Sequence, residues 1–205
     1  MLDIEKLTRR IFDISFKYHL CHLSSCISSL PILIEIYNKK KENEPFILSQ
    51  GHAGICLYVI LEAIYGLNAE ELFKKHGIHP NRDIENKIYC STGSLGVGLN
   101  LALGIALVNK NNVFCTISDG ECFEENVWSS LRIKTENNID NLKLFVNING
   151  NSGYRKVNKE DLIKKLLSFD PKIHIRDTED FQNSFSFLRG VQGHYYYLKE
   201  IDINA

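Results

Sequence analysis

Apolar positions along this chain switch between two periods, and the switches mark its elements. Over residues 2–18, Leu7, Ile11 and Ile14 recur at helical spacing among charges, which predicts an amphipathic first helix. Ser28 and Ser29 followed by Pro31 predict the opening of a second helix through Leu33, Ile34 and Tyr37, because proline is favoured in a first helical turn. The polar run NKKKENE (38–44) reads as a solvated connector. FILSQGH (46–52) reads as a short strand that turns into an apolar helix over 53–65. Asn68, with Glu71 three residues later, predicts an N-cap with a capping-box partner and a helix over about 69–76. Residues 77–91 contain Gly77, Pro80 and Asn81 and read as loop.

The second half has a clearer rhythm. STGSLGVG (91–98) leads into the apolar helix LNLALGIALV, and VFCTI (113–117) and LKLFVNI (142–148) are continuous apolar runs of strand length. A helix from Glu124 to about Thr135 separates those strands, and a weaker helix (160–168) precedes a strand KIHIR (172–176). Strands apolar on both faces that alternate with helices predict an α/β fold, a parallel sheet with helices on both faces. No repeat or linker divides the chain, so residues 1–205 read as a single domain with an N-terminal helical segment.

Composition narrows the function classes. The 24 basic residues are cancelled by 25 acidic ones, which excludes a nucleic-acid binder held mainly by charge. No apolar run approaches the roughly 20 residues of a membrane span, and MLDIEKLTRR has no apolar leader core, so neither membrane nor signal peptide is expected. Cys21, Cys26, Cys56, Cys90, Cys115 and Cys122 contain no C-x-x-C pair, which suits reduced thiols in a cytoplasmic protein.

Candidate chemistry lies at the strand ends, where ligands of parallel sheets collect. The second and third strands end in Asp119 and Asn149, one strand–helix–strand unit apart, and a right-handed crossover brings such ends together. One charged and one neutral oxygen suit a small divalent cation that also takes phosphate oxygens. Gly120 and Gly150 follow each of them and would let the backbone turn closely. Gly93-Ser94-Leu95-Gly96 opens a helix whose free N–H groups would receive a phosphate. Asp-Gly and Asn-Gly are also ordinary turn dipeptides; their order around a helix is what points to a metal–diphosphate clamp.

The stretch from Ser118 to Asn149, SDGECFEENVWSSLRIKTENNIDNLKLFVNIN, resembles the thiamine diphosphate motif, a GDG-type start followed at a distance by Asn. FILSQGHAGICLYVILEAIYG (46–66) is similar to the LS-x-GHA helix of transketolases, STGSLGVGLNLALGIAL (91–107) to their TTG-x-LG-x-G segment, and EENVWSS (124–130) to their EG-x-x-WE segment. HLSSCISSLPILIEIY (22–37) is like their N-terminal HPG segment. The resemblance covers only the N-terminal, diphosphate-binding half of that family. It implies the thiamine diphosphate-binding (PP) fold, with thiamine diphosphate and Mg²⁺ (or Ca²⁺) as cofactors. It further implies Asp119, Asn149 and the carbonyl of Asn151 as metal ligands, and His52, Gly93, Ser94, Leu95, Asp119, Gly120, Glu121 and Asn149 around the cofactor. His22, His52, His79 and His194 would surround the reactive carbon and the sugar, and Glu124 would meet a catalytic glutamate of an opposing subunit. His19, His76 and His174 lack motif context and read as structural, Trp128 as packing, and Tyr195–Tyr197 as a subunit contact or an edge strand.

Three departures from the family pattern stand out. Ser118 replaces a glycine, Cys21 and Leu23 flank His22 in place of glycine and proline, and the segment between Asn151 and residue 172 is short. The missing half would supply the acid that activates the cofactor. The expectation is therefore a transketolase-like transferase subunit that moves a two-carbon ketol unit between sugars or sugar phosphates. It would be active only with a separately encoded C-terminal, pyrimidine-domain subunit, as an α2β2 complex. Two alternatives stay open on residues alone: a thiamine-dependent enzyme that condenses or decarboxylates 2-oxo acids in specialised sugar synthesis, and a non-catalytic scaffold.

Overall fold

A computed structural model describes residues 2–203. Helix α1 (Ile4–Lys17) opens on Asp3, whose carboxylate accepts from the N–H groups of Glu5 and Lys6 at 3.1 and 3.3 Å, and it turns Leu7, Ile11 and Ile14 inward. Helix α2 (Leu23–Lys39) corrects the expectation at Pro31, which lies inside the helix instead of opening it. An interior proline costs about 3 kcal/mol. Leu23, Ile27, Leu30 and Leu33 are fully buried on this helix, and each contributes about 1.5–3 kcal/mol, so burial outweighs the lost amide.

Strand β1 (Phe46–Leu48) turns through a 3₁₀ segment at Gly51–Ala53 into helix α3 (Gly54–Tyr65). Helix α4 (Ala69–His76) is capped by Asn68, whose Oδ1 accepts from the N–H groups of Glu70 and Glu71; the Glu71 carboxylate pairs with Lys74 at 2.7 Å rather than reaching back to the cap. Then come α5 (Val97–Val108), β2 (Val113–Ser118), a 3₁₀ turn at Glu121–Phe123, α6 (Glu125–Glu136), β3 (Leu142–Ile148), α7 (Lys159–Phe169) and β4 (His174–Asp177). The chain continues through α8 (Glu179–Asn183), 3₁₀ turns at Ser186–Leu188 and Val191–Tyr195, and α9 (Glu200–Ile203), none of which the apolar pattern predicts. Tyr195–Tyr197 form no edge strand: the Tyr195 hydroxyl donates to the Gly153 carbonyl at 2.8 Å, and Tyr196 stacks on Phe187.

The four strands pair in parallel in the order β1-β2-β3-β4, with Cys115 opposite Leu144 and Asn147 opposite Arg176. Strands laid down in one direction with right-handed crossovers send one helix of each crossover to the same face, the last helix before β2 in the case of the β1–β2 connection. Accordingly α5, α6 and α7 pack on Ile47, Cys115, Ile117, Leu144, Val146 and Ile148. The other face, bearing Phe46, Phe114 and Phe145, is covered by α1, α2 and α3. Near the carboxyl ends of the strands this second face turns polar. Gln50 donates to Thr116 Oγ1 at 2.6 Å, Asn147 donates to Ser28 Oγ at 3.2 Å, and Thr178 donates to Asn147 Oδ1 at 2.6 Å. A buried hydrogen-bonded layer of this kind fixes α2 over the strand tips.

All six cysteines are free thiols. Among the described residues no helix is long and apolar enough to cross a membrane. The crossover face carries a buried ion pair, Lys134 on α6 with Asp170 after α7, each side chain 5% exposed. Removing one partner strands a buried charge. Lys134→Met is expected to lose about 3–5 kcal/mol in urea unfolding, and adding Asp170→Leu to recover most of it; equal loss in both variants would contradict the burial argument.

Candidate active site

At the carboxyl ends of the strands a cavity of about 280 Å³ opens between α2, the strand tips and the segment 190–194. Its floor is one hydrogen-bonded knot. Asp119, one residue past β2, is 1% exposed. Its Oδ2 accepts from the N–H groups of Asn149 (3.1 Å) and Gly150 (2.8 Å), one and two residues past β3, and its Oδ1 accepts from Gly120 N–H (3.0 Å). A single carboxylate thus joins two neighbouring strand tips. Burial pushes the Asp119 carboxyl up to about 7, against the backbone amides that pull it down. Gly150 has φ +79, a left-handed turn that suits glycine. Gly120 has φ −62, so its glycine answers no conformational need, contrary to expectation.

Asn149 Oδ1 accepts from Asn151 N–H at 3.0 Å, while its Nδ2 donates to Ser28 Oγ (3.3 Å) and Gln182 Oε1 (2.9 Å). The amide is thereby oriented with its oxygen away from α2. Among the described residues no group of three or more His, Cys, Asp or Glu is arranged to hold a metal. One carboxylate and neutral oxygens instead form a hard, incomplete donor set, which fits a Mg²⁺ or Ca²⁺ ion that takes further oxygens from a phosphate. Among the described residues no Lys or Arg lines the cavity, so an anionic diphosphate there needs such an ion for charge balance.

The opposite wall gathers histidines. His22 caps α2 in a left-handed conformation, φ 63, and its N–H donates to the His194 carbonyl at 3.0 Å. The His22 and His194 rings share a hydrogen bond of 2.8 Å, and His52 lies 5.5 and 5.7 Å from them by ring centroid. His79 lies against Gly93 across the cavity mouth. Burial drives His52 down to about 3 and His194 to about 4, and lowers His22, with the neighbouring histidines adding to each shift. These three rings are neutral at pH 7. Leu95, Gly120 and Glu124 also border the cavity, Glu124 from the N-terminus of α6.

Two residues expected near a cofactor lie elsewhere. Ser94 is exposed and Glu121 is fully buried, and neither lines the cavity. Glu121 Oε1 accepts from Ser49 Oγ (2.6 Å) and Gly96 N–H (2.8 Å), and Oε2 from Ser118 N–H (3.0 Å). Its oxygens are spent tying the tips of β1 and β2 to the loop before α5. The Gly96 N–H is therefore engaged rather than free for phosphate. The same junction needs Gly98, where a Cβ would stand 2.5 Å from Ser49 Cα. Sequence reasoning missed Ser25, Ser28, Gln50, Asn147 and Gln182 as lining residues. A signal existed for one of them: Asn147 sits two residues before Asn149, hence on the same strand face.

No protein-family model matches the chain. Transketolase-like protein 2 of Mus musculus is 31% identical over 157 residues, which cover 64% of this chain and 25% of that protein. A subunit of the apulose-4-phosphate transketolase of Phocaeicola vulgatus is 28% identical over 170 residues, covering 72% of this chain and 60% of that one. The chain resembles the N-terminal part of transketolases. A solved transketolase from Pichia stipitis superposes with TM-score 0.69 at 21% identity, over 81% of this chain and 30% of that one, so the fold is shared with the diphosphate-binding domain of those enzymes. The chain spans only a quarter of the length of the murine relative.

Glu121 titrates against the fold. Burial raises its carboxyl from 4.5 to about 7, so the folded state binds the proton more tightly and stability falls as pH rises through that interval. Glu121→Gln is expected to flatten the fall of melting temperature between pH 5 and pH 8 relative to the parent chain. An unchanged slope would show that Glu121 stays ionised throughout.

Proposed function

We propose that this chain is the diphosphate-binding subunit of a thiamine diphosphate- and divalent metal-dependent transketolase-like enzyme, transferring a two-carbon ketol unit between sugars. The observation that carries the reading is the Asp119 carboxylate bonded to the Asn149 and Gly150 amides at the floor of a histidine-walled cavity. The transketolase names of its relatives add support, and favour ketol transfer over 2-oxo acid chemistry. In this reading the chain is one domain, located in the cytoplasm. The Phocaeicola vulgatus relative is named as one subunit of its transketolase, which supports a separately encoded partner carrying the pyrimidine-binding domain, in an α2β2 complex.

Asp119, the Asn149 side chain and the Asn151 carbonyl would hold the metal ion, which neutralises the diphosphate in a cavity without cationic side chains. Bound thiamine diphosphate would supply the carbon centre that accepts the two-carbon unit. The chain's own work is positional and protonic. His22, His52 and His194 are neutral at pH 7; His22 Nε2 and the His52 ring would meet sugar hydroxyls and exchange protons with them, while His194, whose two ring nitrogens bond His22 and Ser25, would hold His22 in place. His79, Leu95 and Glu124 also line the cavity, and Glu124 would meet the partner chain there. A scaffold role would leave a buried, raised Asp119 carboxyl without use, which counts against it.

The test uses the full chain alone and with a co-expressed pyrimidine-domain partner. In the complex, Mg²⁺ with thiamine diphosphate at a hundredfold excess over Kd should stabilise by about 2.7 kcal/mol, and Asp119→Ala should abolish that shift. Ketol transfer should require both chains; turnover by the isolated chain, or an unchanged shift in Asp119→Ala, would contradict the proposal.

A further inference from the structure

Beside the metal-binding knot, a second chain of hydrogen bonds runs along the cavity wall from Ser25 to the two paired histidines. Ser25 lies one helical turn after His22 on α2, so both side chains project from the same side. The Ser25 hydroxyl is 3.3 Å from His194 Nδ1, and His194 Nε2 is 2.8 Å from His22 Nδ1. Main-chain bonds set the two histidines beside each other. His22 donates its N–H to the His194 carbonyl, and its own carbonyl accepts from the N–H groups of Ser25 and Cys26 at 3.1 and 3.2 Å. Gly193 lets the His194 turn pack directly on the 186–188 turn, where a Cβ would stand 2.2 Å from the Leu188 carbonyl oxygen. Ser25 is 9% exposed and borders the cavity, so its oxygen can exchange a proton with water there.

A neutral imidazole carries one proton on two nitrogens, and a chain of two such rings and a hydroxyl has two consistent directions. In one, Ser25 O–H donates to His194 Nδ1, His194 Nε2–H donates to His22 Nδ1, and His22 keeps its proton on Nε2. In the other every bond reverses, and His22 Nε2 is bare. We propose that Ser25, His194 and His22 form a reversible proton relay, with Ser25 as the positioning residue that lets His22 present either an N–H donor or a bare nitrogen to the sugar. The balance closes. When His22 Nε2–H protonates a substrate oxygen, the His194 Nε2 proton passes to His22 Nδ1, and the Ser25 hydroxyl proton passes to His194 Nδ1. Ser25 then takes a proton from solvent in the cavity. The reverse sequence returns one proton to solvent, and the relay starts and ends neutral. Burial that depresses both imidazoles supports this, because a charged ring would freeze one direction.

The relay's catalytic use rests on the proposed ketol transfer, but its existence does not. Side-chain ¹⁵N spectra of the full chain at pH 7, without cofactor or partner, read the tautomers directly. The parent chain should give His22 and His194 nitrogen shifts averaged between protonated and bare values. Ser25→Ala should collapse both rings to one tautomer, and Ser25→Thr, which keeps the hydroxyl, should restore averaging. Fixed tautomers in the parent chain, or averaging that persists in Ser25→Ala, would overturn the relay; the parent spectrum alone decides if the alanine variant does not fold. In the assembled enzyme Ser25→Ala should lower kcat about tenfold to a hundredfold with cofactor affinity unchanged, with rescue by threonine. Averaged tautomers that respond to Ser25 in a complex without ketol transfer would leave the relay standing and reject the reaction.

Discussion

One carboxylate organises the functional end of this molecule. Asp119 accepts three backbone N–H groups drawn from the ends of two adjacent strands, and the loops after those strands take their positions from it. A surface turn would present its Asp to water. Here the side chain is buried, and its desolvation is only partly offset by the amide dipoles. Such an arrangement costs folding stability unless a cation completes it, which is the usual relation between a binding site and its scaffold.

The rest of the cavity is built to suit that centre by being neutral. Three histidines are held uncharged by burial and neighbouring histidines, no described lysine or arginine lines the space, and the floor under α2 is made of serine, threonine and carboxamide groups bonded to one another. In a low-dielectric cavity a bound divalent ion becomes the dominant charge. In the proposed reading, recognition of sugar hydroxyls would then fall to neutral donors and acceptors, whose geometry the hydrogen-bonded layer fixes. Glu121 serves the same end from behind, tying two strand tips and the loop before α5 without facing the ligand space.

Much of this was legible in the sequence because it follows from periodicity. The runs at 113–117 and 142–148 gave β2 and β3, and with them the adjacency of Asp119 and Asn149. His22, His52, His79 and His194 were assembled from motif likeness, and all four border one cavity. Local rules failed where tertiary burial overrode them. Pro31 signalled a helix start, yet Leu23, Ile27 and Leu30 extend the helix across it. That longer helix carries Ser25 and Ser28 over the strand tips, a consequence invisible to a reading that began the helix at Pro31. The segment 179–203 has no sustained period, being short helices and turns that pack Leu188, Leu198 and the rings of Phe181, Phe185 and Phe187 onto the α1–α3 core. Glycine signals likewise misled at Gly96, whose amide is bonded to Glu121 rather than waiting for phosphate.

The most direct test of the central claim is paramagnetic broadening of backbone amides in the full chain on addition of Mn²⁺ with inorganic diphosphate. The account predicts that Gly120, Asn149, Gly150 and Asn151 broaden first, at ion concentrations that leave the exposed acidic helix ends sharp. Early broadening at surface carboxylates, with those four amides unaffected, would contradict it.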